Sequence, residues 1–490
     1  MAQAGNDRYT GAKARRELGC GQRARLACKE KKVSVAIATI NRMILWFDEA
    51  FRALPAEVPM ADVERLAIIV HHSMDAKTRT FHTTRHVFSV GEGMKPVQVL
   101  AALFHDIVYY QLDGGLPTRV AALIEGVTRT QDGLLILQPI APGDRATALC
   151  ADLFGFRAGQ ILPLYGGMNE FLSAAVAARL LQDYLSEAQL IALVACIEAT
   201  VPFRAPDADG RSAAETLAQR VRARSSKGPA QPSRSAEQAE AFVRTVVRDA
   251  VTLANQDVAG FSEADPGRCL ANTLLLIEES NAPLAAVGVY SLDEYRDALV
   301  RMDDFLRKLN PAHVCQSYDG HPDPDMFQAM ESAVRRNIDF SRDYLGAILA
   351  AVAIIEALAL STGTDCPIAM FLGDIAGPDC RPDRVEDFLP TPPPGQPTSA
   401  ELLKVLEEGH SLESINDLTA SPLTAFVYRF MGQDGTRQIR QQADRMFDGD
   451  LSPHAFLKTL DRDMAGAIIR ACARIAISRS EALLALEQSL

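Results

Sequence analysis

Aromatic residues are scarce in this 490-residue chain, at 6% with a single Trp, and no stretch alternates apolar and polar positions in a sustained way. Strands are therefore not expected to organise the fold. The nine cysteines form no Cys-x-x-Cys pair and no regular spacing. That argues against a disulfide framework and for reduced thiols in a cytoplasmic setting. An excess of positive charge is missing as well. The formal net charge is -12 and the pI lies near 5.3, which disfavours a broad nucleic-acid-binding surface.

Several enzyme signatures are absent too. No glycine-rich loop ends in Gly-Lys-Ser or Gly-Lys-Thr, no Gly-x-Ser-x-Gly elbow occurs, and no cysteine stands in a catalytic context. The basic stretch at the start of the chain is not followed by an apolar core, so residues 1–34 read as a disordered basic tail rather than a secretory signal. The most apolar run, residues 345–360, falls short of the roughly 20 residues that span a bilayer and contains Glu356. It is expected to form a buried core helix, with no membrane association.

What remains is helix-forming. Leu and Ala dominate the 48% of hydrophobic residues and are mixed with Glu, Arg, Asp and Gln, as in an all-α protein. Apolar periodicity predicts helices from Val35 to Phe51, over 61–74, from Thr83 to Gly91, and from Pro96 to about Tyr110. Further helices are expected over Asn169 to Tyr184, Ser186 to Thr200 and Ala239 to Leu253, while Asp113 to Gly167 is weakly patterned. The implied organisation is a helical domain over 35–285 with an exposed insertion at about 203–236. A helical extension over 286–375, a Pro-rich linker over 376–399 and a C-terminal helical module over 400–490 follow.

Five of the nine histidines fall between residues 71 and 105. His82 and His86 stand four apart, which on a helix or its first turn puts both on one face. Neutral imidazole is a common metal ligand, so such a pair can share a metal or divide metal and proton-transfer roles. His105-Asp106 follows the apolar run Val97-Gln98-Val99-Leu100-Ala101-Ala102-Leu103-Phe104. Burying an Asp beside a His is costly unless both are paired or metal-bound.

With these residues in hand, the sequence resembles the metal-dependent phosphohydrolases of the HD superfamily. The resemblance rests on Phe81-His82-Thr83-Thr84-Arg85-His86-Val87 and on Leu100-Ala101-Ala102-Leu103-Phe104-His105-Asp106-Ile107-Val108-Tyr109. It also rests on Asn169-Glu170-Phe171-Leu172-Ser173-Ala174 and Ile197-Glu198-Ala199-Thr200, in the same order over about 80–200. It implies an HD-type helical domain in which His86, His105 and Asp106 are metal ligands and His82 protonates a leaving oxygen. A closing aspartate on a later helix is implied as well; Asp257, in a polar break after an apolar stretch, is preferred to Asp249. Glu170, Ser173 and Arg85 are possible contacts to substrate or to a metal-held water. Asn169 could equally cap its helix, with Glu170 complementing the helix dipole.

The expected activity is metal-dependent hydrolysis of a phosphate ester or phosphoanhydride in a small, nucleotide-like molecule. The expected cofactor is one or two divalent ions, Mn, Fe, Mg or Zn. Two alternatives stay open: a catalytically silent ligand-binding or regulatory protein, and a di-iron oxygenase. The C-terminal half, outside the resemblance, could carry a homo-oligomer or partner contact. His71 and His72 are expected at a helix end, and the loop with His321, Asp319, Asp323 and Asp325 is expected as a turn before a helix.

Overall fold

A computed structural model describes residues 37–226, 235–286, 288–374, 382–393, 396–409 and 421–490. The expected basic tail over 1–34 lies outside the described residues. Nineteen α-helices and one two-stranded hairpin make up the described chain.

Seven of the first ten helices lie where the apolar periodicity predicts them. α1 (Thr39–Ala53) buries Met43, Phe47, Ala50 and Phe51, a stripe at helical spacing, and Leu54-Pro55 ends it. α2 (Met60–Ser73) starts after Pro59 and carries His71 and His72 in its last turn. α3 (Thr84–Gly91) and α4 (Pro96–Phe104) form a short hairpin, with Pro96 at the first position of α4. α5 (Thr118–Leu123) and α6 (Arg145–Phe154) flank the strands. α7 (Met168–Leu181) and α8 (Glu187–Ala199) are buried on nearly every face and sit at the centre. α9 (Ala213–Ser225) and the 22-residue α10 (Ala236–Asp257) complete the set, and α4, α7, α9 and α10 all pack on α8.

Four expectations need correcting. The helix predicted to reach Tyr110 stops at Phe104, with His105 as its C-cap, because the next residues turn to face the site. The weakly patterned stretch contains the antiparallel strands β1 (Thr128–Gln131) and β2 (Leu134–Leu137), joined by Asp132-Gly133. Both turn residues have positive φ, 52° and 77°, the backbone that an Asp-Gly hairpin turn supplies. The exposed insertion at 203–236 instead holds α9, which buries Ala214, Leu217, Ala218 and Val221. Likewise, the described part of the 376–399 linker, 382–393 and 396–399, includes a short 3₁₀ turn with buried Val385 that packs against a later helix.

The hydrophobic core divides near residue 260 rather than at 285. One cluster runs from Met43 to Ala254 and a second from Leu270 to Leu486. The second includes α11 (Pro266–Ser280), α12 (Leu292–Lys308), α13 (Pro324–Thr362), α14 (Ala369–Leu372), α15 (Ala400–Glu408) and α16 (Pro422–Phe447). α17 (Pro453–Leu457), α18 (Arg462–Ile475) and α19 (Ser480–Ser489) finish it, so the expected extension and C-terminal module share one core. α13 is long and apolar enough to cross a membrane by length and composition, yet 78% of its most apolar window is buried against neighbours. Its central placement in the second core accounts for that composition.

Candidate metal centre

Three helix ends meet at one point. His86 sits in the first turn of α3, His105 and Asp106 follow the last turn of α4, and Asp257 is the final residue of α10. The α3–α4 hairpin packs on α10, and Val87, Val90, Leu100, Val247, Val251 and Ala254 of these helices are buried in the first core. One ligand atom from each of His86, His105, Asp106 and Asp257 lies within 4.8 Å of the others. The rival Asp249 is elsewhere, 2.6 Å from Lys95 Nζ.

The protonation pattern inside this cluster is informative. His105 Nδ1 lies 2.9 Å from the Ala102 carbonyl oxygen, which only accepts, so Nδ1 carries the hydrogen. The ring therefore presents Nε2 to two carboxylates, at 2.9 Å from Asp106 Oδ2 and 3.3 Å from Asp257 Oδ1. His105 Nε2 and Asp106 Oδ2 are both buried without an aligned hydrogen-bond partner among the described residues. His86 Nε2 closes the group at 2.9 Å from Asp257 Oδ1 and 3.5 Å from Asp106 Oδ2. Such converging acceptors repel one another unless a cation stands among them. Two imidazoles and two carboxylates, one ring already fixed by a backbone carbonyl, suit a divalent metal.

Without a metal, protons take that place. Burial opposes charge on His105, yet Asp106 and Asp257 outweigh it and raise its pKa well above the ordinary value. Burial likewise works against the Asp106 and Asp257 carboxylates, but His105 and its neighbours pull both down, Asp257 to about 2. Both acids are thus held ionised, as ligands must be.

Beside the cluster stands His82, just before α3, with its ring centroid 5.7 Å from that of His86 and 4.6 Å from that of Tyr109. Its Nδ1 is paired with Glu279 Oε1, which leaves Nε2 as its free ring nitrogen. Burial lowers the pKa of His82, but Asp106 and Glu279 more than compensate and the net shift is upward. Glu170, in the first turn of α7, feels the same field with opposite consequence. Burial, with the charges of Asp106 and Asp257, pushes its carboxyl up to about 7.

Three supports were not foreseen from the sequence. Glu279, on α11, accepts the backbone N–H groups of Thr80, Phe81 and His82 at 2.8, 2.8 and 3.0 Å as well as pairing with the His82 ring. Arg79 is buried, chelates Asp113 through Nε at 2.9 Å and Nη2 at 2.6 Å, and donates to the Asp106 carbonyl at 2.8 Å. The start of α7 holds the loop after Asp106: Asn169 Oδ1 accepts from Tyr110 N–H at 3.0 Å and Ser173 Oγ from Val108 N–H at 3.1 Å. Asn169 therefore does not cap its helix, since Gly167 occupies the cap position. Ser173 is fully buried and positions the backbone, whereas Arg85 is exposed at the surface.

No protein-family model, no curated protein and no solved structure matches the chain.

Proposed function

We propose that this protein is a metal-dependent phosphohydrolase of HD type, acting on a phosphate ester or phosphoanhydride in a small nucleotide-like molecule. The observation that carries the reading is the convergence of one ligand atom each from His86, His105, Asp106 and Asp257 within 4.8 Å of one another, two of these side chains offering buried atoms, His105 Nε2 and Asp106 Oδ2. Those four side chains would hold the ion. A divalent ion, when bound, polarises a phosphoryl oxygen and lowers the pKa of water from 15.7 to about 7, so that hydroxide is available at neutral pH.

The remaining work falls to the chain itself. His82 would hold a proton on Nε2 for the departing oxygen, because Glu279 engages Nδ1 and fixes the ring. Glu170, with its carboxyl pushed up to about 7, can take or return a proton near neutrality, and would orient the attacking water. Arg79 and Ser173 would touch neither reactant; they hold the backbone at Asp106 and just after it.

The test is a screen of nucleotides and generic phosphodiesters with Mn present, using the full chain and Asp106→Ala. Turnover that the substitution abolishes supports the reading. Metal retained with tight ligand binding and no turnover would replace it with a regulatory role, and an oxygen-reactive iron chromophore would replace it with an oxygenase.

A further inference from the structure

Between α12, α13, α15 and α16 lies an open cavity of about 520 Å³ that shares no residue with the metal centre. That volume falls within the range of small-molecule sites. Its wall carries four arginines, Arg307, Arg342, Arg437 and Arg440, and a similar number of aspartates, so overall charge alone does not define a ligand. The distribution does.

At one end three guanidinium groups crowd a single carboxylate. Buried Asp303 accepts a hydrogen bond from Arg307 Nη2 at 2.6 Å, while Arg342 Nε and Arg440 Nη2 stand off at 3.5 and 3.7 Å. Arg342 Nε is buried and has no hydrogen-bond partner among the described residues. Arg440 also meets Asp444, and Arg437 pairs with Asp343 at 3.2 Å. Each guanidinium offers about five N–H donors, against roughly four acceptor sites on a carboxylate. Arg307 Nη1 also meets Asp304 at 3.3 Å, whereas Arg342 Nε at the Asp303 end is left without an aligned acceptor among the described residues. Burial, with the charge of Arg307, lowers the Arg440 pKa although Asp303, Asp304 and Asp448 oppose the shift.

The cavity floor points the same way. Gly346 lies within the 39-residue α13, where glycine weakens a helix relative to alanine. A Cβ built on it meets nothing within 4 Å, so no neighbour demands the missing side chain. Its effect is to leave the cavity open. Gln433 and Gln441 add amide groups to the wall, and Tyr428 Oη accepts the Ser399 N–H at 3.0 Å, which leaves its own hydrogen to donate.

We propose that this cavity is a second binding site, for a small molecule bearing a phosphate or polyphosphate, whose oxyanion is met by the guanidinium groups around Asp303. Planar guanidinium groups match phosphate oxygens in geometry and charge. The inference does not depend on the activity assigned to the metal centre.

Isothermal titration of the full chain with inorganic pyrophosphate tests it. The measurement is made in EDTA at constant ionic strength, on an Asp106→Asn background so that the metal centre is silent. Saturable binding to one site per chain is expected, weakened at least about tenfold by Arg342→Gln and also by Gly346→Gln, which fills the cavity without removing a charge. Arg342 is partly exposed and the added Gly346 side chain meets open space, so both variants should keep the wild-type circular dichroism spectrum. Absence of saturable binding below about 1 mM overturns the proposal, as does binding that both substitutions leave unchanged.

Discussion

Replacing Glu279 removes the acceptor of three backbone amides and the partner of the His82 ring in one step. Its side chain is 2% exposed, and it reaches across from the second core to the loop that precedes α3. In Glu279→Ala the Thr80 amide lies in an exposed residue and can turn to water, but those of Phe81 and His82 are left short of an acceptor. A stranded buried donor costs about 1–3 kcal/mol, so the alanine variant should lose about 3–5 kcal/mol. Glu279→Gln keeps one carbonyl oxygen for the amides but loses the charge and turns an NH2 donor toward His82 Nδ1, at a cost of about 1–2 kcal/mol. Urea denaturation reads this as a shift in midpoint at unchanged slope. Hydrogen exchange at residues 80–82 should accelerate in the alanine variant and stay close to wild type in the glutamine variant. Equal costs for the two variants, or unaltered exchange in both, would refute the assignment of Glu279 as the tether of His82.

Three further outcomes follow from the same geometry. His82→Asn should lower kcat by about 10²–10⁴ on phosphodiesters with alkoxide leaving groups and far less on nitrophenyl esters, which need no proton; equal losses on both would count against a proton donor. Asp113→Asn breaks the chelate around the fully buried Arg79 side chain and should cost about 3–5 kcal/mol in denaturation, part of which Arg79→Met combined with Asp113→Leu should restore. Glu356, paired with Arg296 on α12, has its carboxyl pushed up to about 7 by burial. Its folded pKa exceeds the unfolded one, so its contribution is present below about pH 4.5 and lost as pH rises through about 7. Glu356→Gln should remove up to about 3 kcal/mol of the stability difference between about pH 5 and about pH 8, and an unchanged difference would contradict that burial effect.

How far the sequence disclosed this site can be traced residue by residue. His105 and Asp106 were legible because polar groups at the end of an apolar run need a buried partner. His86 was legible through its spacing from His82. Asp257 was legible through the resemblance and through the polar stretch after Leu253, which proves to be the last turn of α10 and not a break; the fold turns Asp249 toward Lys95. Glu279 was not legible, because its meaning depends on a residue 197 positions earlier and on the packing of two cores. Arg79 was not legible either, because the sequence cannot show that Asp113 returns to it across a loop. The hairpin at 128–137 was missed for a different reason. Its strands are four residues each, too short for alternation to register, although Asp132-Gly133 was a usable turn signal. α9 was hidden by its Arg- and Ser-rich outer face, since only four of its thirteen residues are buried.

The central claim is that His86, His105, Asp106 and Asp257 together hold a divalent metal. Elemental analysis of the full chain, purified without chelator and compared with Asp106→Ala, tests it most directly. The account predicts at least one equivalent of a divalent transition metal or magnesium per chain, retained through gel filtration or taken up on addition of Mn or Fe, and lost in the variant. A wild-type chain that carries no stoichiometric metal and takes up none would contradict it.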